Sequence, residues 1–184
     1  MSTRDGYNKD VWQVTTSRIG QLLGRADAAA ALVAQVEGAI AAARADHPGF
    51  AGKTFTIGPV TADGQVNTIN SMTDASVVFL AQLGLTLSPR VTGLPTSSIP
   101  GRALISAEQL SLIDADVLLL TFTTPQARER LEADPLFKRI PAVQRGSYVP
   151  LDLPTALAIA FPSALSIPYA LQHSVPSIAA ALAR

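Results

Sequence analysis

The chain has 184 residues, 48% of them hydrophobic and 15% charged, which fits one folded domain with a substantial core and excludes a disordered chain. Fourteen basic residues balance fourteen acidic ones, so the charge carries no footprint for nucleic acid or an anionic membrane. No cysteine is present, which excludes disulfides, thiolate metal sites and cysteine nucleophiles.

Residues 1–10 are polar and predict a frayed lead-in, with order beginning at Trp12. They contain no apolar stretch of a signal peptide, and no later run reaches the roughly 18 apolar residues of a membrane span. Val11 to Leu23 predicts a loosely amphipathic helix stopped by Gly24. Asp27 is the expected cap of a longer helix, in which Leu32, Val33, Val36, Ile40 and Ala43 recur at three and four until Pro48-Gly49 ends it. Lys53 to Gly58 is a strand with Phe55 and Ile57 on one face and Thr54 and Thr56 on the other. The loop from Pro59 to Gln65 then lies where open α/β sheets place ligands, although Ala62-Asp63-Gly64 reads first as a tight turn.

Ser71 or Thr73 is expected to cap a helix from Asp74 to Leu83, closed by Gly84. Arg90 to Arg102, with its prolines, glycines and hydroxyl residues, predicts a long ordered loop or flap. Ser106 is expected to cap a short helix through Leu110 and Ile113. Val117 to Leu120 is apolar at every position, as in a strand covered on both faces. Pro125 opens a helix, and Ser147 to Leu151 returns to extended structure, so this unit is a βαβ crossover. The fold class is therefore α/β, a three-layer sandwich around a mostly parallel sheet of about four or five strands. Asp152 to Leu165 reads as an apolar loop, and residues 163–183 have a helical rhythm interrupted by Pro168 and Pro176.

Catalytic tools are scarce. The chain lacks a nucleophile elbow, a phosphate loop and a dinucleotide fingerprint. His47 and His173 stand apart from carboxylates at metal spacing and read as helix-end or surface histidines. Asp114 and Asp116 precede a strand, at the end opposite a ligand crevice, and read as turn residues. A binder has more to use. Arg90 and Arg102 flank the long loop and offer forked donors to anionic oxygens, while reading equally as solvated loop arginines. Phe122 at the central strand's end and Phe161 in the apolar loop offer flat faces, or core packing; Thr123 lies in the turn between Thr121 and Pro125. Tyr148 reads as structural.

Five pieces in register carry a resemblance: Ser106 to Leu110, Asp114 to Leu120, Asp134 to Phe137, Ile140 to Val143, and Gly146 to Val149. Together they resemble the carboxy-terminal lobe of bacterial ABC-transporter substrate-binding proteins for ferric siderophores, haem and cobalamin. Trp12, Ile19, Gly20, Leu23 and Gly24 match a helix that in this family runs between two lobes as a stiff spine. The resemblance implies one α/β lobe over residues 11–184, with an amino-terminal lobe and an export signal missing from this chain, and hence an excised or truncated piece. It implies a non-enzymatic, extracytoplasmic lipoprotein or periplasmic binder. Its ligand would be a ferric siderophore, with haem or cobalamin as alternatives, held without a resident cofactor or metal. The piece alone is expected to be monomeric. Glu108 matches the position of a glutamate that meets arginines of the membrane permease, and also reads as a helix-terminus glutamate. On this reading Glu108 and the Thr121 to Pro125 turn serve permease and ligand from opposite ends of the lobe. The loop from Thr61 to Asn67 has no arginine or lysine, where several binders of anionic chelates carry one. A small α/β enzyme or stand-alone domain acting on a polar metabolite is the competing reading.

Overall fold

A computed structural model describes residues 11–184; the lead-in expected over residues 1–10 lies outside the described residues. The chain opens on a helical hairpin, α1 (Trp12–Leu22) and α2 (Ala26–Asp46), turned at Gly24 with φ of 64°. The cap of α2 is Arg25, and Asp27 sits inside the first turn, where a carboxylate still complements the helix dipole. Alanines lift the mean hydropathy of α2 to 1.3 over its best window, so by length and composition alone this helix could cross a membrane, against the sequence expectation. In the fold it rests Val36 and Ile40 on the core instead.

Then follow β1 (Thr54–Val60), β2 (Val66–Ile69), α3 (Ala75–Gln82), β3 (Thr86–Leu87), α4 (Pro89–Thr92) and β4 (Arg102–Ile105). A 3-10 turn over Ala107–Ile113 leads to β5 (Val117–Phe122), α5 (Pro125–Ala133), α6 (Pro135–Lys138), α7 (Pro141–Gln144) and β6 (Tyr148–Pro150). The chain ends on α8 (Leu153–Ala160) and α9 (Ser166–Leu182).

One sheet of six strands has the order β4-β2-β1-β5-β6, with β3 beside the start of β1. β5 pairs in parallel with β1 and β6, and β3 with β1, as the βαβ unit predicts. β2 is antiparallel to both β1 and β4. Alternation along the strands divides the core into two layers. Phe55, Ile57, Val117 and Leu119 meet α2, α3, α8 and α9, while Val60, Leu118 and Leu120 meet the 3-10 turn and α5 to α7 through Leu110, Leu131 and Phe137.

Caps differ from the expected ones in instructive ways. α3 is capped by Asp74, not by Ser71 or Thr73, its carboxylate accepting from Ser76 N at 3.0 Å. Ser106 makes no cap bond to the backbone, and its hydroxyl meets Gln109 at 3.4 Å. The stretch taken as an apolar loop after Leu151 holds α8, because Asp152 accepts from Thr155 N at 2.7 Å and Pro154 falls in the first turn, where no amide is needed. Tyr148 is structural as read: its hydroxyl donates to Glu132 at 3.0 Å, and burial together with that carboxylate pushes the phenol's pKa far up.

Candidate functional site

The register aligns one row of residues across four strands. Ile105 faces Val66, Val66 faces Val60, and Val60 faces Phe122. Beyond this row the chain leaves β1 into Thr61–Gln65, β5 into Thr123-Thr124 and β4 into the turn that carries Glu108; β6 ends at the neighbouring level, where Leu120 faces Pro150. These loops form the carboxyl edge of the sheet, the place where α/β folds of this kind bind ligands.

Each loop is held by identifiable bonds. After β1 the chain makes a hairpin: Thr61 N donates to Gln65 O at 2.9 Å, Gly64 N donates to Thr61 O at 2.9 Å, and Gly64 takes φ of 87°. This is the tight turn read from Asp63-Gly64, and it returns into β2 instead of opening a long loop. The Thr61 hydroxyl donates to Asp63, holding that carboxyl below its ordinary range, with the amides of Asp63 and Gln65 and the charge of Arg130 acting the same way. Arg130, on α5, donates to Ala62 O at 3.3 Å. Arg130 thus brings a guanidinium beside a loop whose own sequence has no arginine or lysine, a placement no local pattern signals.

Thr123 N and the Thr123 hydroxyl both donate to Val60 O at 3.2 Å, tying β5 to β1 at the edge. Thr124 caps α5 by accepting from Ala127 N at 3.1 Å. Phe122 is half-buried against the layer of Leu110 and Leu131. Asp152 follows β6, and the side chain and amide of Thr155, with His173 nearby, hold its carboxyl below the ordinary range. His173 stacks on Tyr169 with ring centroids 4.1 Å apart. Phe161 ends α8, 38% exposed, two helical turns beyond Leu153, and Leu157 between them is exposed on the same stripe.

The candidate residues do not gather in one place. Phe122 and Thr123 share the edge, and Glu108, exposed in its 3-10 turn, lies on that same edge three strands away. The two places do not stand at opposite ends of the sheet, because β4, reversed twice through β2, runs the same way as β1 and ends at the same level with β2 between them. Arg90 stands elsewhere, 4.0 Å from Asp114, where β5 begins. Arg102 is packed inside, with Nη1 2.8 Å from Asp74 Oδ2. Asp114 and Asp116 hold turns, as read: Asp114 accepts from Ala142 N at 3.0 Å, and Asp116 accepts from the Thr54 amide at 2.7 Å. Burial raises the Asp116 pKa, yet the Thr54 bonds and the charges of Lys53 and Arg145 bring it below the ordinary range. Among the described residues no three His, Cys, Asp or Glu side chains cluster as a metal site.

The fold has many counterparts among solved structures. A periplasmic solute binding protein from Mycobacterium smegmatis is 27% identical with a TM-score of 0.76, and the match covers 99% of this chain and 60% of that one. PiaA of Streptococcus pneumoniae in complex with ferrichrome is 22% identical with a TM-score of 0.75, over 97% of this chain and 60% of its own. FhuD2 of Staphylococcus aureus with bound ferrioxamine B is 16% identical with a TM-score of 0.72, over 96% of this chain and 68% of its own. The chain thus spans three fifths of the length of the first two. No curated protein matches it. The family model described as periplasmic binding protein matches residues 2–152, and the chain belongs to that family.

Proposed function

We propose that this chain is the carboxy-terminal lobe of a two-lobed solute-binding protein that carries a ferric siderophore, or a related iron chelate, to an ABC permease outside the cytoplasm. The row Ile105, Val66, Val60, Phe122 carries the reading, because the loops that follow β1 and β5 and the turn with Glu108 leave the sheet at a single edge, which supports a shared role. A permease that met Glu108 would then face the mouth of the crevice. Ferrichrome and ferrioxamine B, the ligands named for PiaA and FhuD2, support a ferric siderophore as the chemical class. The family is one of solute-binding proteins, which weighs against the small-enzyme alternative.

Exposed apolar side chains support a second lobe. Ile19, Leu22 and Leu23 crowd the turn of the α1–α2 hairpin, and Leu22 is 86% exposed. Leu153, Leu157 and Phe161 form a further stripe on α8. Solvated monomers seldom leave such patches open, and the relatives' additional chain length offers a cover.

Within this arrangement Phe122 and Thr123 are the solute-facing candidates at the edge, with Arg130 beside them through its bond to Ala62 O; Phe161, two helical turns along α8 from the end of β6, belongs to the exposed stripe that a second lobe would cover. Arg90 and Arg102 are engaged with Asp114 and Asp74 and take no direct part. One lobe alone leaves the chelate half in water and binds it weakly. The test is a titration of intrinsic fluorescence in the complete two-lobed protein with ferric siderophores, haem and cobalamin. Saturable quenching by the siderophores at micromolar concentration is expected; quenching by none of the three overturns the ligand assignment.

A further inference from the structure

The chain is neutral as a whole, but its charges are unevenly placed. At the carboxyl edge the hairpin after β1 carries Asp63, the turn after β4 carries Glu108, and the chain after β6 carries Asp152, all three exposed. These loops contain no lysine or arginine of their own. Arg130 reaches them from α5, and its guanidinium stands beside the Asp63 carboxylate that it partly balances. Arg90 and Arg102 are held away by Asp114 and Asp74. Three carboxylates thus face one guanidinium, and counting His173, near Asp152, as a full cation still leaves the edge acidic.

The helices that begin at this edge do not reverse that sign. α8 is capped by the Asp152 carboxylate itself, which offsets the positive end of its dipole. In α5, Pro125 has no amide to give, and the amide of Ala127 is taken by the Thr124 hydroxyl, so little of the anion-binding capacity of a helix start is left. Asp63 and Asp152 both titrate below the ordinary carboxyl range, so their charge persists in mildly acidic surroundings. β1 and β6 lie on either side of β5, two strand spacings or about 10 Å apart. A solute resting at the end of β5 therefore feels both carboxylates within about one screening length at physiological ionic strength.

We infer that this edge sorts iron chelates by net charge, favouring those that are uncharged or carry a pendant ammonium and disfavouring those with surplus anionic oxygens. The inference rests on the siderophore-carrying function proposed for the chain. Three hydroxamates bring one negative charge each and cancel the charge of a ferric ion, whereas three catecholates bring two each and leave an anion that Asp63, Glu108 and Asp152 repel.

Ferrioxamine B, its N-acetyl derivative and its N-succinyl derivative isolate the effect, because they share one ferric centre and end in an ammonium, a neutral amide and a carboxylate. Titrated into the complete two-lobed protein at low salt, they should show dissociation constants that rise about threefold at each step in that order, with a narrower spread at high salt. Asp63→Asn combined with Asp152→Asn keeps an oxygen to accept from Thr61 and from Thr155, and should shrink the spread by about half or more. If the double variant is unstable, Asp63→Asn alone should shrink it to a smaller degree. Equal constants, a reversed order, or a spread that neutralising these carboxylates leaves intact overturns the inference. Saturation by none of the three overturns it as well, whereas the siderophore reading itself falls only when ferrichrome also fails to bind.

Discussion

Arg102 and Asp74 form a buried ion pair, Nη1 to Oδ2 at 2.8 Å, with 11% and 2% of their side chains exposed. The pair joins the start of β4 to the cap of α3, since the other carboxylate oxygen of Asp74 accepts from Ser76 N. An arginine that flanks a long loop in sequence is thereby a brace between two elements. Arg102→Ala leaves a buried carboxylate uncompensated and should cost about 3 to 5 kcal/mol in urea unfolding. In a complete protein stable enough to survive the change, chelate affinity should hold within a factor of two or so; a loss of tenfold or more would return Arg102 to the ligand site.

Gly58 lies in β1 where β2 crosses closest, and a Cβ there would meet Asn67 O at 2.5 Å and Thr68 Cα at 2.8 Å. Both neighbours are backbone and cannot rotate away. Gly58→Ala should therefore destabilise the fold by about 1 to 3 kcal/mol, the usual effect of overpacking. Equal urea midpoints for variant and parent would show that the hairpin opens without strain.

Asp152 caps α8 with a carboxyl whose pKa is lowered in the fold, chiefly by Thr155. A depressed carboxyl contributes stability that is complete above its unfolded value and fades as pH falls through the folded one. Asp152→Ala should cost about 1 kcal/mol at neutral pH. The gap between the two proteins should close as pH drops from the ordinary value of 3.8 through the lower folded-state value. A gap of constant size across that window would assign the effect to packing.

Glu108 is exposed in the first turn of its 3-10 segment. On the proposed docking role, Glu108→Lys in the complete protein should leave chelate affinity unchanged and slow uptake in cells, because it reverses the charge offered to a partner that matches a carboxylate. Normal uptake with this variant removes Glu108 from the docking face.

The sequence was most legible where one residue's neighbours are local. Val117 to Leu120 declared a doubly covered strand by composition, and Pro125 and Gly146 marked the helix start and the return to β6. β2 and β4 were missed because each has only four residues, and Asn67 and Thr68 interrupt any apolar run in β2. Their pairing, more than their composition, makes them strands. α8 was concealed by Pro154, a breaker in a helix interior but harmless in a first turn. The site was less legible than the fold. Asp74 and Arg102 are 28 positions apart, Ala62 and Arg130 are 68 apart, and no periodicity links either pair.

Thr123 reaches the carboxyl edge with both of its donors, amide and hydroxyl, given to Val60 O. What remains to it is acceptor capacity alone. A solute that touches this threonine must therefore bring its own hydrogen, as an amide N–H or a ligand hydroxyl does. If Thr123 faces the solute as proposed, the tie that joins two strands would also select against a surface of bare oxygens resting on it.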